Sequence, residues 1–251
     1  MTTLLVTRPA SQADELISLL AMRGIGAVSV PTVEIATASA GGVFDDALGS
    51  LDGAAWLVIT SVNGASVLLA RLQALGRRLP RGLRLAAVGP ATARALRAGG
   101  LRVDHVPSRY RTVAIAEGLG AVAGRRVVLA RADAATPDLR KALEQRGALV
   151  EEVVAYRTVE GPAASRERIG AVLARPLDGV VFTSGSTVRG LLALVSPADR
   201  LRVTALPAYC IGPVTARVAR RAGFAVPVVA ATHTTGALAD AIQAHLGKEI
   251  A

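Results

Sequence analysis

One pattern of residues occurs twice in this chain, and residue 60 is matched by residue 183 and residue 89 by residue 212, a constant spacing of 123. The first copy reads Ile-Thr-Ser-Val-Asn at 59–63 and Val-Gly-Pro-Ala-Thr-Ala at 88–93. The second reads Phe-Thr-Ser-Gly-Ser at 182–186 and Ile-Gly-Pro-Val-Thr-Ala at 211–216. Because the spacing does not drift, the chain is interpreted as two diverged copies of one unit. Further identical residues at this spacing are Arg8 and Arg131, Gly24 and Gly147, Gly100 and Gly223, and Thr112 and Thr235.

The order of apolar and polar residues predicts strands and helices in strict alternation. The predicted strands are 4–7, 27–35, 55–60, 85–89, 103–106, 127–130, 149–159, 180–183, 208–211 and 227–230. The predicted helices are 11–23, 43–51, 63–75, 92–98, 113–119, 138–146, 166–173, 187–194, 215–222 and 236–246. Apolar strands alternating with helices predict parallel sheets covered on both faces. With about five strands in each copy, the fold class is α/β, with two open, doubly wound sheets of the flavodoxin type.

The strands at 27–35 and 149–159 are longer than the others, and each continues into a segment rich in small residues. These segments, 34–42 and 157–165, are predicted to be the linkers. If the chain crosses over at both, the domains are not its two sequence halves. One domain then comprises 1–34 together with 160–251, and the other comprises 38–156.

The composition indicates a soluble protein with an anionic partner. Half of the residues are apolar, and the formal net charge is +10. A strong positive charge attracts anions, but the basic residues are spread along the chain and nearly all are arginine. Few aromatic side chains are available to stack on bases, so a small anionic substrate is favoured over nucleic acid.

The chain carries no sign of a disulfide, a cysteine zinc site or a membrane anchor. Its one cysteine, Cys210, lies in an apolar run that predicts a buried strand, where a thiol is expected to pack. There is no apolar run of about 20 residues and no charged leader with an apolar core at the N-terminus. A cytoplasmic location is expected.

Polar residues follow the strands where the next helix begins, which is where open α/β sheets bind ligands. These residues either cap the helix or leave its first amides to bind a carboxylate or phosphate. Four such turns at matched positions favour the second interpretation. The residues concerned are Ser61, Asn63, Thr92, Ser184, Ser186 and Thr215.

Three further residues are candidates for the site. Arg8 and Arg131 each follow the first strand of their copy, either as surface cations or as anion ligands. Tyr156 breaks the symmetry, because its counterpart at the spacing of 123 is Val33. It is either a core side chain or a phenol placed between the domains.

Several kinds of site are not indicated. The sequence contains no P-loop and no glycine-rich dinucleotide fingerprint. His105, His233 and His245 are scattered, so neither a metal site nor a Ser-His-Asp triad is predicted. Only His233, which follows a strand, is kept as a candidate.

Taken in order, the motifs resemble the uroporphyrinogen-III synthase family. Thr-Arg-Pro at 7–9, Thr-Ser-Val-Asn-Gly at 60–64, Tyr-Arg-Thr at 156–158 and Phe-Thr-Ser-Gly-Ser at 182–186 carry the resemblance, together with the two Gly-Pro-x-Thr-Ala motifs. Each motif alone is weak, but the ordered set is specific and spans nearly the whole chain. The resemblance implies two flavodoxin-like domains joined by a two-strand linker, with one domain formed by both termini.

The resemblance also implies a reaction. The substrate is hydroxymethylbilane, a linear tetrapyrrole with acetate and propionate carboxylates. It loses its hydroxyl to give an azafulvene, the terminal pyrrole carbon attacks to give a spiro intermediate, and the ring recloses with the last pyrrole inverted. The enzyme is a lyase of haem biosynthesis, acts in the cleft between its domains as a monomer, and uses no metal or organic cofactor.

The family's functional residues map onto this sequence one by one. Tyr156 matches the tyrosine that assists departure of the hydroxyl. Substrate-binding roles fall on Ser61, Asn63, Thr92, Ser184, Ser186 and Thr215, and less strongly on Arg8 and Arg131. A transient contact with the upstream hydroxymethylbilane synthase is expected, and no nucleic acid or membrane partner is.

Two other functions fit parts of this pattern. A tetrapyrrole or anion sensor on the same fold would bind without turnover. A transferase of phosphorylated substrates is disfavoured because no acidic metal-binding motif is present.

Overall fold

The computed structural model describes residues 2–108 and 112–249, which fall into two compact units. The terminal unit comprises Met1–Glu34 and Val159–Ala251, and the middle unit comprises Ile35–Thr158. Strands in the described residues are β1 Thr3–Val6, β2 Gly26–Ser29, β3 Val33–Thr37, β4 Trp56–Ile59, β5 Arg84–Ala87, β6 Arg126–Ala132, β7 Leu149–Glu160, β8 Gly179–Phe182, β9 Ala208–Cys210 and β10 Val228–Val229. Helices are α1 Ala10–Ala21, α2 Val43–Gly49, α3 Val62–Ala74, α4 Pro90–Ala98, α5 Thr112–Gly118, α6 Asp138–Gln145, α7 Arg166–Leu173, α8 Gly185–Leu194, α9 Pro197–Thr204, α10 Pro213–Arg221 and α11 Thr235–Glu249.

Each unit contains a sheet with parallel strand pairs, as the alternating pattern predicts. The terminal sheet has the order β10-β9-β8-β1-β2, and the middle sheet has the order β3-β7-β6-β4-β5. The pairs of β1 with β2 and β8, and of β4 with β5 and β6, are all parallel. The predicted mixed α/β fold with parallel sheets is confirmed.

The sequence repeat is preserved in the strand registers. Leu4 pairs with Gly179 in the terminal sheet, and Val127 pairs with Trp56 in the middle sheet, so both partners differ by 123. The pair Val180 with Ala208 corresponds in the same way to Leu57 with Leu85. The two sheets therefore have equivalent registers, although each sheet combines strands from both sequence copies.

Alternate residues of each strand point to opposite faces of its sheet, and both faces are buried. In β4, Leu57 and Ile59 join the cluster packed under α3, while Trp56 and Val58 join a second cluster with α5 and α6. In the terminal sheet, Phe182 and Cys210 belong to one cluster, and Val181 and Tyr209 to another. Burial on both faces explains why these strands are almost wholly apolar.

Apart from shifts of a few residues in the bounds of other elements, three differences from the sequence-based prediction concern whole elements. The strand predicted at 27–35 is two strands, β2 and β3, because Pro31 lies between them and has no N–H for a ladder. The strand predicted at 103–106 is reduced to one bridge, between Ala86 and His105. Helix α9 was not predicted. The sequence feature that marks its start is Ser196 followed by proline at the first helical position, and the Ser196 hydroxyl accepts the backbone N–H of Asp199.

Candidate functional site

The carboxyl edge of the middle sheet carries a hydroxyl pair. Ser61 is the N-cap of α3, and its Oγ accepts the backbone N–H of Gly64 at 2.9 Å. The same Oγ lies 2.8 Å from the Oη of Tyr156 on β7, within hydrogen-bonding distance. Two residues that are 95 positions apart therefore share a hydrogen bond directly at the start of a helix.

Tyr156 is a buried phenol beside an open cavity. Its side chain is 5% exposed and lines a cavity of about 520 Å³ formed by residues of the middle unit. Burial raises the pKa of the phenol above its ordinary value, and the negative charge of Asp133 adds to this, while the hydrogen bond with Ser61 and the charge of Arg131 act in the opposite direction. The phenol is therefore protonated at neutral pH, as a phenol of ordinary pKa also is, and carries a proton at the edge of the cavity.

Arg131 supports this edge from β6. Its side chain is 3% exposed, and it donates to Glu152 and to the backbone carbonyl of Thr136, both at 2.9 Å. Its Nε is buried without a hydrogen-bond partner in the described residues. The register of β6 and β7 shifts between Arg131 and Ala132, where Ala132 comes to face Tyr156. Most of the guanidinium is thus committed to contacts with β7 and with the segment between β6 and α6.

The terminal unit has a corresponding helix start without a phenol. Ser184 caps α8 by accepting the backbone N–H of Thr187 at 3.2 Å, and Thr187 completes a capping box. The Oγ atoms of Ser184 and Ser186 lie 2.8 Å apart. Val33, the counterpart of Tyr156, is buried at 3% exposure.

The two Gly-Pro motifs begin α4 and α10 without a side-chain cap. Gly89 and Gly212 stand at the N-cap positions, and neither helix has a side-chain cap hydrogen bond there. Helix N-termini of this kind favour negative charge. Thr92 and Thr215, three positions after the N-caps, are 3% and 5% exposed. The predicted helix starts are therefore present in both units, with the threonines mostly buried.

Arg8 follows β1 in the terminal unit and is largely buried. Its Nη2 donates to Gln12 at 3.1 Å, and its Nη1 lies 3.5 Å from a carboxylate oxygen of Glu15. Burial lowers the pKa of the guanidinium, partly offset by the charge of Glu15. Its Nε has no hydrogen-bond partner in the described part of the chain, so the side chain retains a donor.

The described structure brings some predicted residues together and leaves others separate. Ser61 contacts Tyr156, and Ser184 contacts Ser186. Asn63 lies in the first turn of α3, one position after Val62. Cys210 is fully buried in β9, and within 2–108 and 112–249 no group of three or more metal-ligating side chains is found.

Sequence reasoning did not identify two residues that contact the hydroxyl pair of Ser61 and Tyr156. Gly64 supplies the N–H that Ser61 accepts, and a side chain on it would lie 3.7 Å from the ring of Tyr156. Asp133 donates its backbone N–H to the carbonyl of Tyr156 at 3.1 Å. The available signal was a second break in symmetry, because Gly64 corresponds to Thr187 in the other copy.

A profile of the family described as uroporphyrinogen-III synthase HemD matches residues 14–240. The chain belongs to this family. A uroporphyrinogen-III synthase from Synechococcus elongatus is 28% identical over 250 residues, which cover 96% of this chain and 94% of that protein. The expectation drawn from the ordered motifs is confirmed.

Solved structures of uroporphyrinogen-III synthases share the fold. A mutant enzyme from Thermus thermophilus superposes with a TM-score of 0.68 at 21% identity, covering 99% of this chain and 100% of that chain. A uroporphyrinogen-III synthetase from Helicobacter pylori gives 0.62 at 14% identity, with 100% of each chain covered. In the described residues, this family member contains no helix that is both long enough and apolar enough to cross a membrane.

Proposed function

We propose that this chain is a uroporphyrinogen-III synthase, a cyclising lyase that converts hydroxymethylbilane into uroporphyrinogen III. The reaction inverts the last pyrrole ring and releases one water. The observation that carries the proposal is the family match over residues 14–240. The buried phenol at a polar helix start supports it with a chemical group suited to the first step.

Tyr156 is assigned the role of proton donor to the leaving hydroxyl. The pyrrole nitrogen supplies electrons to the hydroxymethyl carbon, and the C–O bond breaks with both electrons going to oxygen. The phenol transfers its proton to that oxygen, which leaves as water, and an azafulvene that keeps its pyrrole N–H, and is therefore a cation, remains beside the phenolate. Burial raises the pKa of Tyr156, so the phenol holds its proton at neutral pH but is a weaker acid, and the hydrogen bond with Ser61 and the charge of Arg131 counteract this rise.

The helix starts are assigned to the carboxylates of the substrate. A carboxylate at a helix N-terminus gains about 0.3–1 kcal/mol when exposed and more when partly buried, so several contacts are needed. The unblocked amides of α4 and α10 are the first candidates. The proposed binding residues are Ser61, Asn63, Thr92, Ser184, Ser186, Thr215, Arg8 and Arg131.

Positioning is the main task of the protein after the hydroxyl has left. The terminal pyrrole carbon attacks within the same molecule, gives the spiro intermediate, and the ring recloses inverted. Holding the reacting carbons in the geometry of the inverted closure favours it over the spontaneous closure to the uninverted isomer. Because the substrate supplies the reactive carbons, we propose that neither a metal nor an organic cofactor takes part.

The finer features of the enzyme follow from the family resemblance. We infer flavodoxin-like domains joined by two strands. The neighbouring strands β2-β1-β8-β9 of the terminal sheet correspond, at the spacing of 123, to β7-β6-β4-β5 of the middle sheet. If the strands of each run are numbered in the order of the repeat, both runs have the order 2-1-3-4, which supports the inference. A monomer in the cytoplasm, in transient contact with hydroxymethylbilane synthase, completes the proposal.

The test is the isomer of the product. Hydroxymethylbilane is generated in situ, the protein is added with a chelator and without cofactors, and the oxidised products are separated into types I and III. We expect predominantly type III, against type I in the protein-free control. Type I alone with the folded protein would overturn the proposed activity, and tetrapyrrole binding in that sample would favour the sensor.

A further inference from the structure

We propose that Ser61 is a positioning residue that orients and polarises the phenol of Tyr156 through the N-terminus of α3. This inference rests on the proposed function and concerns the same site. It assigns to Ser61 a task in the departure of the hydroxyl, in addition to capping a helix.

The hydrogen bonds around Ser61 leave its hydroxyl able to donate to the phenol. Its Oγ accepts the N–H of Gly64 at 2.9 Å, so one lone pair is used and the hydroxyl hydrogen is left to donate. The Oη of Tyr156, at 2.8 Å, is within reach of that hydrogen. When Ser61 donates, the phenol hydrogen is free to point at a substrate. An oxygen that accepts an amide N–H is also the better donor.

A comparison of the two copies indicates that this arrangement is specific to one helix start. Position 64 is glycine and position 156 is tyrosine in the middle unit, whereas their counterparts Thr187 and Val33 stand in the terminal unit. A Cβ on Gly64 would lie 3.2 Å from the Oγ of Ser61. Thr187 instead fills this space and bonds back to the backbone of Ser184. The glycine at 64 and the tyrosine at 156 thus occur together, and they allow a phenol to contact the capping serine in the middle unit only.

The same bonds stabilise the phenolate formed during the reaction. As the phenol proton moves to the departing oxygen, negative charge develops on Oη, and the hydroxyl of Ser61 donates to it. Charge-assisted hydrogen bonds of this kind are stronger than neutral ones, and the helix start behind Ser61 adds a favourable potential. The proton released when the attacking terminal pyrrole regains its aromatic ring restores the phenol, so the cycle is balanced with one water as the only by-product.

Three charged side chains face or flank the phenol and are unchanged by substitutions at Ser61. Arg131 comes from β6, Asp133 from the turn that follows it, and Arg157 lines the cavity next to Tyr156. Arg131 favours the phenolate and Asp133 opposes it. A change in titration after substitution of Ser61 alone therefore reports the lost hydrogen bond.

The first test needs no substrate. Tyrosine labelled with ¹³C at Cζ gives three signals, because the chain has three tyrosines, and Tyr156→Phe assigns the one of interest. We expect Ser61→Ala to move the titration of Tyr156 to higher pH. The matched control is Ser184→Ala, which removes the equivalent cap in the terminal unit and should leave this signal unchanged. An unchanged Tyr156 titration in Ser61→Ala would overturn the proposal.

The second test is kinetic and uses type III product. Loss of one hydrogen bond to a developing charge predicts a fall in kcat of about 10- to 100-fold in Ser61→Ala, with a smaller change in KM. Ser61→Thr, which keeps the hydroxyl, should retain most of the wild-type kcat. In a Tyr156→Phe background, Ser61→Ala should have little further effect; an equal fall in both backgrounds would contradict the coupling. Absence of type III product from the wild type would refute the activity, while the titration still decides the role of Ser61.

Discussion

At the scale of single residues, burial determines how Cys210 titrates. Cys210 is fully buried in β9, and desolvation raises the pKa of its thiol from 9.0 to about 11. The sequence already indicated a packing role, because the residue stands in an apolar run. A thiol that stays protonated to such a pH is a poor nucleophile.

This burial predicts a loss of stability at alkaline pH. Between pH 9 and about 11 the folded thiol keeps its proton while the unfolded thiol has lost it, so the folded state binds more protons and stability falls as pH rises. We expect this group to account for about 2–3 kcal/mol of the decrease in the free energy of unfolding. Urea unfolding at pH 8 and pH 11 measures it. Cys210→Ala should lose less stability over the same range, and identical losses in both proteins would refute the prediction.

At the scale of elements, α8 packs unusually closely against the segment between β2 and β3. A Cβ on Gly190 would stand 1.9 Å from the backbone oxygen of Thr32. Thr32 is itself held by bonds from its hydroxyl to the carbonyls of Thr7 and Thr187, at 3.0 and 2.9 Å. The backbone of Thr32, which the added Cβ would contact, therefore has little freedom to move.

We expect Gly190→Ala to lower the free energy of unfolding by about 3 kcal/mol or more, because the added methyl forces backbone apart in a packed interior. The control is Gly170→Ala in α7, where a Cβ meets nothing within 4 Å. That change should raise stability by about 0.5–1 kcal/mol through helix propensity. Denaturant unfolding distinguishes the two, and equal effects at both positions would contradict the packing argument.

Elements were predictable where the pattern was strong and local. Helix 166–173 was predicted with its observed bounds, and the carboxyl-edge positions of Ser61 and Ser184 followed from strand–helix order. Helix α9 was missed because its polar residues resemble a loop. The bond between Ser61 and Tyr156 could not be read from the chain, since it joins α3 to β7 across 95 positions. Sequence periodicity places residues on elements but does not show which side chains of distant elements meet.

At the scale of the whole molecule, an internally repeated chain forms two similar sheets with different chemistry. Equivalent registers such as Leu4 with Gly179 and Val127 with Trp56 show how closely the frameworks agree. The phenol stands in one unit only, because its counterpart is Val33. The repeat thus gives both units comparable helix starts, and one difference between the copies places the phenol that we propose as the acid.

The central claim is that hydroxyl departure depends on the phenol of Tyr156, and a single-turnover measurement with Tyr156→Phe tests it most directly. The variant keeps the ring in its packed position, so its unfolding free energy should stay near that of the wild type. With enzyme in excess over freshly generated hydroxymethylbilane, we expect the rate of type III formation to fall about 10²–10⁴-fold. A wild-type rate in the folded variant would contradict the account and reduce Tyr156 to a packing residue.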